Sequence, residues 1–341
     1  MRIRILGGGW YGCSIAVGLI ADGHEVELHE RAEHLFAGAS GGNPARLHIG
    51  PHYPRSALTR AACRDHHAEF MARYGHLTRG VPVNIYAVAE NESLVDFGTF
   101  QQVLRGEIEF ITVHNPAEFG LCNVEGAILC GERHIVIDDA RRWFADHLAG
   151  AVRFGVAPGA VDDPRWDMTI DCTFCANDAE NIDRYEPCVT ALLKGPADRA
   201  VTIMDGPFGS IYPWNEDDNL SSLTSAKLTP ISKSCRTWRE AREILDEQTA
   251  DAVRRRSEAM LVQMAEFWPE CQDRYRIVDY RLSIRAMPRS AADSRLVDMV
   301  RVSDRALRIR AGKIDAVFHA ERMVKEQIAA SRSFIKAKMV A

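Results

Sequence analysis

The sequence predicts an α/β fold: a parallel-sheet core interrupted by two insertions that together build a second, antiparallel sheet. Three observations carry that prediction. The first thirty residues read strand, glycines, helix, strand. From Val81 the apolar periodicity changes from helical to alternating, and a second β-rich block covers residues 187–226. After each β-rich stretch the chain returns to an α/β pattern. The core is therefore assigned residues 1–80, 138–180 and 288–341, and the insert domain residues 81–137 and 181–287. A chain of 341 residues holds about two domains at roughly 150 residues each.

Ile3, Ile5 and Leu6 form a short apolar run ending in glycines, as a buried parallel strand does. Gly7, Gly9 and Gly12 fit G-x-G-x-x-G, and Cys13 to Ala21 read as a helix that stops at Gly23. Val26 and Leu28 mark a second strand, closed by Glu30. In such a unit the first glycine permits the tight turn, the second lets backbone approach a pyrophosphate, and the third lets helix pack on strand. The helix start offers N–H groups and partial positive charge to phosphates. Glu30 follows Gly12 by 18 residues, close to the spacing of about 20 at which an acid accepts from ribose hydroxyls. Strand, glycines, helix, strand and acid in that order predict a Rossmann-like dinucleotide site, against the plainer reading of an ordinary glycine turn.

Residues 32–56 form a loop rich in small residues, which suits backbone lying against a ligand. A helix is expected over 57–74, then strands at 81–89, 108–113 and 133–137. Asp138 and Asp139 are expected to cap a helix over 140–148. Strands follow at 152–156 and 168–172, the second leading into small or polar residues from Thr173 to Asn177. The second β-rich block contains 201–205, 209–214 and 220–226. Residues 237–268 are the longest helical candidate, stopped by Pro269. Strands at 276–285, 296–302 and 306–310, the turn 311–315 and a helix over 317–330 close the chain.

A net charge of −5 disfavours nucleic acid as partner, because phosphate backbones need a basic surface. Without an 18-residue apolar run, no membrane span is expected. The glycine motif begins at once, so no signal peptide is expected and a cytoplasmic location is. Nine cysteines with a single C-x-x-C, Cys172 to Cys175, read as reduced thiols packing in the core rather than as a redox pair. Asp65, His66, His67 and His76 lack a further ligand cluster, so no metal site is expected.

Five segments taken in order resemble the D-amino-acid oxidase superfamily of FAD-dependent oxidoreductases, which includes glycine oxidase and sarcosine oxidase. They are the opening, residues 5–31; Ala39-Ser-Gly-Gly-Asn-Pro-Ala-Arg46, similar to the family's loop along pyrophosphate and flavin; residues 168–177; residues 208–214; and the tail, with Ser283-Ile-Arg285 and Ala311-Gly-Lys-Ile-Asp315. The resemblance implies a Rossmann-like FAD-binding domain interrupted by an antiparallel-sheet substrate domain. Its implied FAD contacts are Gly7, Gly9, Trp10, Tyr11, Gly12, Glu30, Arg31, Ala39, Ser40, Asn43, Arg46, Leu47, Val156, Cys172, Thr173, Gly312, Lys313, Ile314 and Asp315. Two departures stand out: Thr173-Phe-Cys-Ala176 replaces a small glycine turn, and Lys313 and Asp315 stand where glycines are common.

A flavin accepts the hydride itself, so the protein binds, orients and tunes. Lys313 is the candidate for charge near the reduced ring, against a surface lysine at a helix start. His48, His52, Tyr53 and Arg55 gather polar groups directly after the 39–46 loop; a histidine there is a candidate acid or base, although Pro51 and Pro54 also fit a plain rigid turn. Arg55 is a candidate for holding a carboxylate in a bidentate pair, and the resemblance makes Arg285 the candidate for the substrate carboxylate, against an ordinary salt-bridged arginine. Tyr212 and Trp214 are candidate pocket walls or plain sheet packing. The expected function is oxidation of a C–N bond in a small amine or amino-acid-like substrate by a monomer or homodimer. The alternatives are oxidation of a C–O bond, a flavoprotein dehydrogenase or non-oxidase flavoenzyme using another acceptor, a nicotinamide enzyme, or an FAD-binding protein without catalysis.

Overall fold

The computed structural model describes residues 1–176, 182–289, 296–310 and 312–340. Asn177 and Ala311, which belong to expected cofactor-side segments, lie outside the described residues.

Arg2–Leu6 is the buried centre of a six-stranded sheet. It pairs in parallel with Glu25–His29 on one side and Met168–Asp171 on the other, and Val152–Arg153 and Ala306–Arg310 extend the parallel set. Asp298–Ser303 closes one edge antiparallel to Ala306–Arg310. The helix after the glycines runs Trp10–Ala21, three residues earlier than expected, so the turn 7–9 feeds straight into it.

The insertions form an eight-stranded sheet in which every neighbouring pair but one is antiparallel. The exception is Arg199–Met204 beside Val83–Ala89, which run parallel. The two come from different insertions and meet side by side at mid-sheet, so no hairpin dictates their direction. A small sheet of Arg46–Leu47, Arg133–Ile135 and Thr78–Gly80 links the loop after the first unit to the end of the first insertion.

Several elements differ from expectation for local reasons. The segment 237–268 is two helices, Trp238–Asp246 and Ala250–Ala265. The hydroxyls of Thr237 and Thr249 each accept an N–H in the first turn of the helix they start, at 3.1 and 3.2 Å, and the second cap breaks the apolar run. Asp138 and Asp139 do not cap: the helix is Ile137–His147, and both acids sit in its first turn, paired with Arg141 and Arg142. There they favour the positive helix end. Cys172 is a free thiol, and Cys175 is buried in a cluster with Ile182 and Tyr185. Among the described residues no helix is long and apolar enough to cross a membrane.

Candidate active site

Two cavities meet where the parallel strands end. The first, of about 740 Å³, runs along Gly7, Gly8 and Gly9, past Glu30 and Arg31, to Gly312, Lys313 and Ile314. The second, of about 820 Å³, lies against the large sheet. Asn43, Pro44, Arg46, His48, Tyr53, Phe174 and Gly312 line both, so the two are chambers joined by a neck.

The first chamber is built by close backbone packing. Gly7 has φ +100°, a left-handed geometry, and a Cβ there would stand 2.7 Å from the Cys172 carbonyl oxygen. At Gly12 a Cβ would stand 2.0 Å from the Gly7 carbonyl oxygen, so helix and strand can approach this closely only without it. Gly9 caps the helix without a side chain, which leaves first-turn N–H groups to a ligand. The Ser40 hydroxyl accepts from the Trp10 N–H at 3.0 Å, fastening the 39–46 loop to that turn. Glu30 accepts from the N–H of Gly8 at 2.7 Å and of Ala32 at 2.9 Å, holding its carboxylate at the wall. Arg31 lies over the ring of Trp238, 4.4 Å from its centroid.

The opposite end is tied by side chains from distant segments. The Tyr11 hydroxyl donates to the Lys313 carbonyl. Lys313 Nζ donates to the Tyr53 hydroxyl at 3.1 Å and lies over that ring. Burial opposes its charge, but Tyr53, Asp315 and Cys63 together hold it above the ordinary ammonium range. Buried Asp171 accepts from the N–H and hydroxyl of Thr173 and pairs with Arg308 at 2.9 Å, which fixes the turn after strand Met168–Asp171. Phe174 and Cys175 follow with φ of +58° and +59°, so the glycine-like backbone persists without glycine, at about 1–2 kcal/mol per residue.

At the neck, Arg46 donates to Ser210 at 2.6 Å and to Thr202 at 3.3 Å, its guanidinium 4.4 Å from the centroid of Tyr212. His48 and His52 stack at 4.9 Å. Beneath His48 lies Glu132, fully enclosed, which accepts from the Tyr86 hydroxyl at 2.6 Å and the Ile49 N–H at 2.9 Å. His48 Nδ1 is 3.4 Å from the same carboxylate. Burial, Lys313 and Arg46 push the imidazole below its ordinary range. Burial alone would raise Glu132, but His48 and the donated hydrogen bonds bring it below the ordinary carboxylate. In the second chamber Arg285 donates to Glu186 at 2.7 Å, Arg184 donates to the same carboxylate at 2.8 Å, and Arg55 pairs with Asp205.

Of the expected site residues, Gly7, Gly9, Trp10, Tyr11, Glu30, Arg31, Ala39, Ser40, Asn43, Arg46, Val156, Cys172, Thr173, Gly312, Lys313 and Ile314 line the first chamber. His48 and Tyr53 line both chambers; His52, Arg55 and Arg285 line the second. Three are placed behind the wall. Gly12 packs on Gly7. Leu47 follows Arg46 in a strand, so its side chain takes the opposite face, into the core. Asp315 is buried beside Lys313, and burial raises its carboxyl. The Trp10 ring points away from the chamber into a cluster with Phe36, Phe70, Tyr74 and Phe144. Tyr212 and Trp214 are buried and line neither chamber. Glu132, Glu186, Arg184 and Trp238 carry no site signal in the sequence; a lone acid after a strand gives no sign of what it faces.

Residues 2–154 match a family described as FAD dependent oxidoreductase. An FAD-dependent monooxygenase of Fusarium mangiferae is 32% identical over 94% of this chain and 89% of its own. The chain belongs to the FAD-dependent oxidoreductase family. An FAD-dependent monooxygenase of Aspergillus flavus is 27% identical over 94% of this chain and 84% of its own. Glycine oxidase from Geobacillus kaustophilus shares the fold, with a TM-score of 0.69 at 15% identity, covering 96% of this chain and 95% of that one. For an FAD-dependent oxidoreductase the first chamber fits its cofactor: a glycine cradle that a Cβ would fill, an uncapped helix start, an acid at the second strand's end and a buried cation at the far end.

Proposed function

We propose that this FAD-dependent oxidoreductase oxidises the C–N bond of a small amine or amino-acid-like substrate that carries a carboxylate. The observation behind this reading is the second chamber's charge. Among the described residues that line it, Arg46, Arg55, Arg184, Lys233 and Arg285 stand with Glu186 and Asp205, an excess of cations that draws an anionic group into a cleft. Arg285 keeps one guanidinium edge on Glu186, and its Nε has no hydrogen-bond partner among the described residues. That side chain is the carboxylate-orienting candidate. Lys313, held charged against Tyr53, supplies fixed positive charge at the chamber's end, and Arg46 and His48 wall the neck where substrate and cofactor meet. The bound flavin supplies the two-electron acceptor.

Anaerobic titration of the FAD-loaded protein tests the reading. Amino acids are expected to bleach the flavin, and the matching decarboxylated amines to do so far less. Bleaching by hydroxy acids or sugars alone would overturn it. Peroxide formed on readmitting air then separates an oxidase from a dehydrogenase. A second reading is oxygen insertion, supported by the monooxygenase names of the two fungal relatives. It requires a product heavier by one oxygen atom and consumption of an external reductant.

A further inference from the structure

We propose that Glu132 is a positioning residue that fixes the proton of His48 on Nδ1, so that His48 Nε2 accepts the substrate's proton during oxidation. The proton donor is named on the C–N reading above; the placement of the His48 proton stands without it.

The tautomer follows from the partners of Nδ1. One is Glu132 Oε1, 3.4 Å away; the other is the Tyr86 hydroxyl oxygen, 3.5 Å away. The Tyr86 proton is already committed to Glu132 Oε2 at 2.6 Å. Both atoms therefore present lone pairs to Nδ1, and only a ring proton there satisfies them. Neutral imidazole carries one proton, so Nε2 is left as an acceptor. The Ile49 N–H, donating to Glu132 Oε1 at 2.9 Å, keeps the carboxylate in register with the ring.

The surroundings separate His48 from its neighbours. Around it stand Lys313 and Arg46, which disfavour a charged ring, and Glu132, which favours one. Tyr86, Tyr212 and Cys130 face Glu132 from the large sheet, and all three are held protonated by burial. His52 and Tyr53 contact the ring from its own loop. Lys313 is already charged and cannot take a proton, and the Tyr53 oxygen accepts from it. His52 lines only the second chamber, whereas His48 lines both. The balance is that of a two-electron oxidation. An H–C–N–H unit loses a hydride from carbon and a proton from nitrogen, C–N becomes C=N and the proton ends on His48 Nε2; the flavin, when bound, would supply the acceptor for the hydride.

The test uses FAD-loaded protein with isotope-labelled histidine, His48 being assigned by its loss in His48→Gln. Between about pH 6 and 8, nitrogen spectra are expected to give neutral His48 with the proton on Nδ1, and Glu132→Gln is expected to mix the tautomers. Rapid mixing under anaerobic conditions with a reducing amino acid is expected to show His48→Gln slowing flavin reduction by about 10²–10⁴-fold. Glu132→Gln slows it with substrate half-saturation unchanged, and Glu132→Asp recovers part of the rate. A proton on Nε2 in the wild type, or wild-type reduction by His48→Gln, overturns the proposal. The wild-type spectrum decides the tautomer even where Glu132→Gln fails to fold. Should no C–N substrate reduce the flavin while the Nδ1 tautomer is found, the C–N reading fails and the positioning of His48 by Glu132 stands.

Discussion

Gly12→Ala puts the packing beneath the nucleotide chamber under direct strain. The added Cβ would sit 2.0 Å from the Gly7 carbonyl oxygen and 3.4 Å from Ile5 Cγ2, while real contacts of this kind stay above 3.0 Å. Helix Trp10–Ala21 must therefore retreat from the first strand by at least 1.0 Å, the 3.0 Å limit less the 2.0 Å contact. Overpacking of this sort costs about 1–3 kcal/mol, and the helix preference of Ala over Gly offsets about 1 kcal/mol of it. Global stability should fall by no more than about 2 kcal/mol, the difference of those two figures. The local effect is larger, because the retreating turn carries backbone amides that line the first chamber. Losing one charge-assisted hydrogen bond of about 1.5–3 kcal/mol weakens FAD binding by about 10–100-fold. Titration of apoprotein with FAD, followed by protein fluorescence, measures it, with thermal unfolding as the companion readout. Gly131→Ala is the control: a Cβ there meets nothing within 4 Å, and stability and FAD affinity should hold. Wild-type FAD affinity in folded Gly12→Ala, or equal weakening by Gly131→Ala, would refute the reasoning.

Lys313→Met removes the buried ammonium that donates to Tyr53. Flavin should remain bound while its reduction slows by about 10²–10³-fold, and a dye-equilibrated redox titration should show a lower flavin potential; an unchanged potential removes Lys313 from this role. Arg285→Gln leaves Arg184 on Glu186, so folding should persist. Half-saturation by carboxylate-bearing substrates should rise by about 10–100-fold, with amines that lack a carboxylate unaffected; an equal loss for both kinds would contradict a carboxylate clamp. His134 is pushed from 6.5 down to about 4 by burial, then by Arg79 and Arg133. Folding favours its neutral form, so its contribution is complete above about pH 6.5 and is lost as pH falls toward 4. The gap is worth about 3 kcal/mol. Urea unfolding at pH 7 and pH 4 should show His134→Gln losing less stability than wild type; equal losses count against the assignment.

Sequence made the opening unit legible because its constraints are local. Gly12 answers to the Gly7 carbonyl five positions back, and the fixed spacing of the three glycines marks the turn although Gly7 and Gly9 pack on distant Cys172 and Ser40; the strand at 306–310 follows from its own alternation. Partners distant along the chain left no such trace. Glu132 reaches His48 across 84 positions, and alternation in 83–89 and 199–204 reveals strands but not that they run side by side. The apolar spacing of 237–268 continues through the break at Thr249, so periodicity outweighed a cap that was visible in the sequence. The resemblance places Leu47 beside Arg46 on the cofactor side, and the structure turns its side chain into the core because neighbours in a strand face opposite ways.

Trp10 belongs to two environments. Its amide sits at the rim of the cofactor chamber, while its ring is packed 5.1 to 5.7 Å from Phe36, Phe70, Tyr74 and Phe144. The mooring of the glycine turn is thus an oily knot set behind the chamber wall. Screening that knot for heat resistance would select flavin retention as well, and substitutions at Phe70 or Phe144 would loosen the cofactor from a distance.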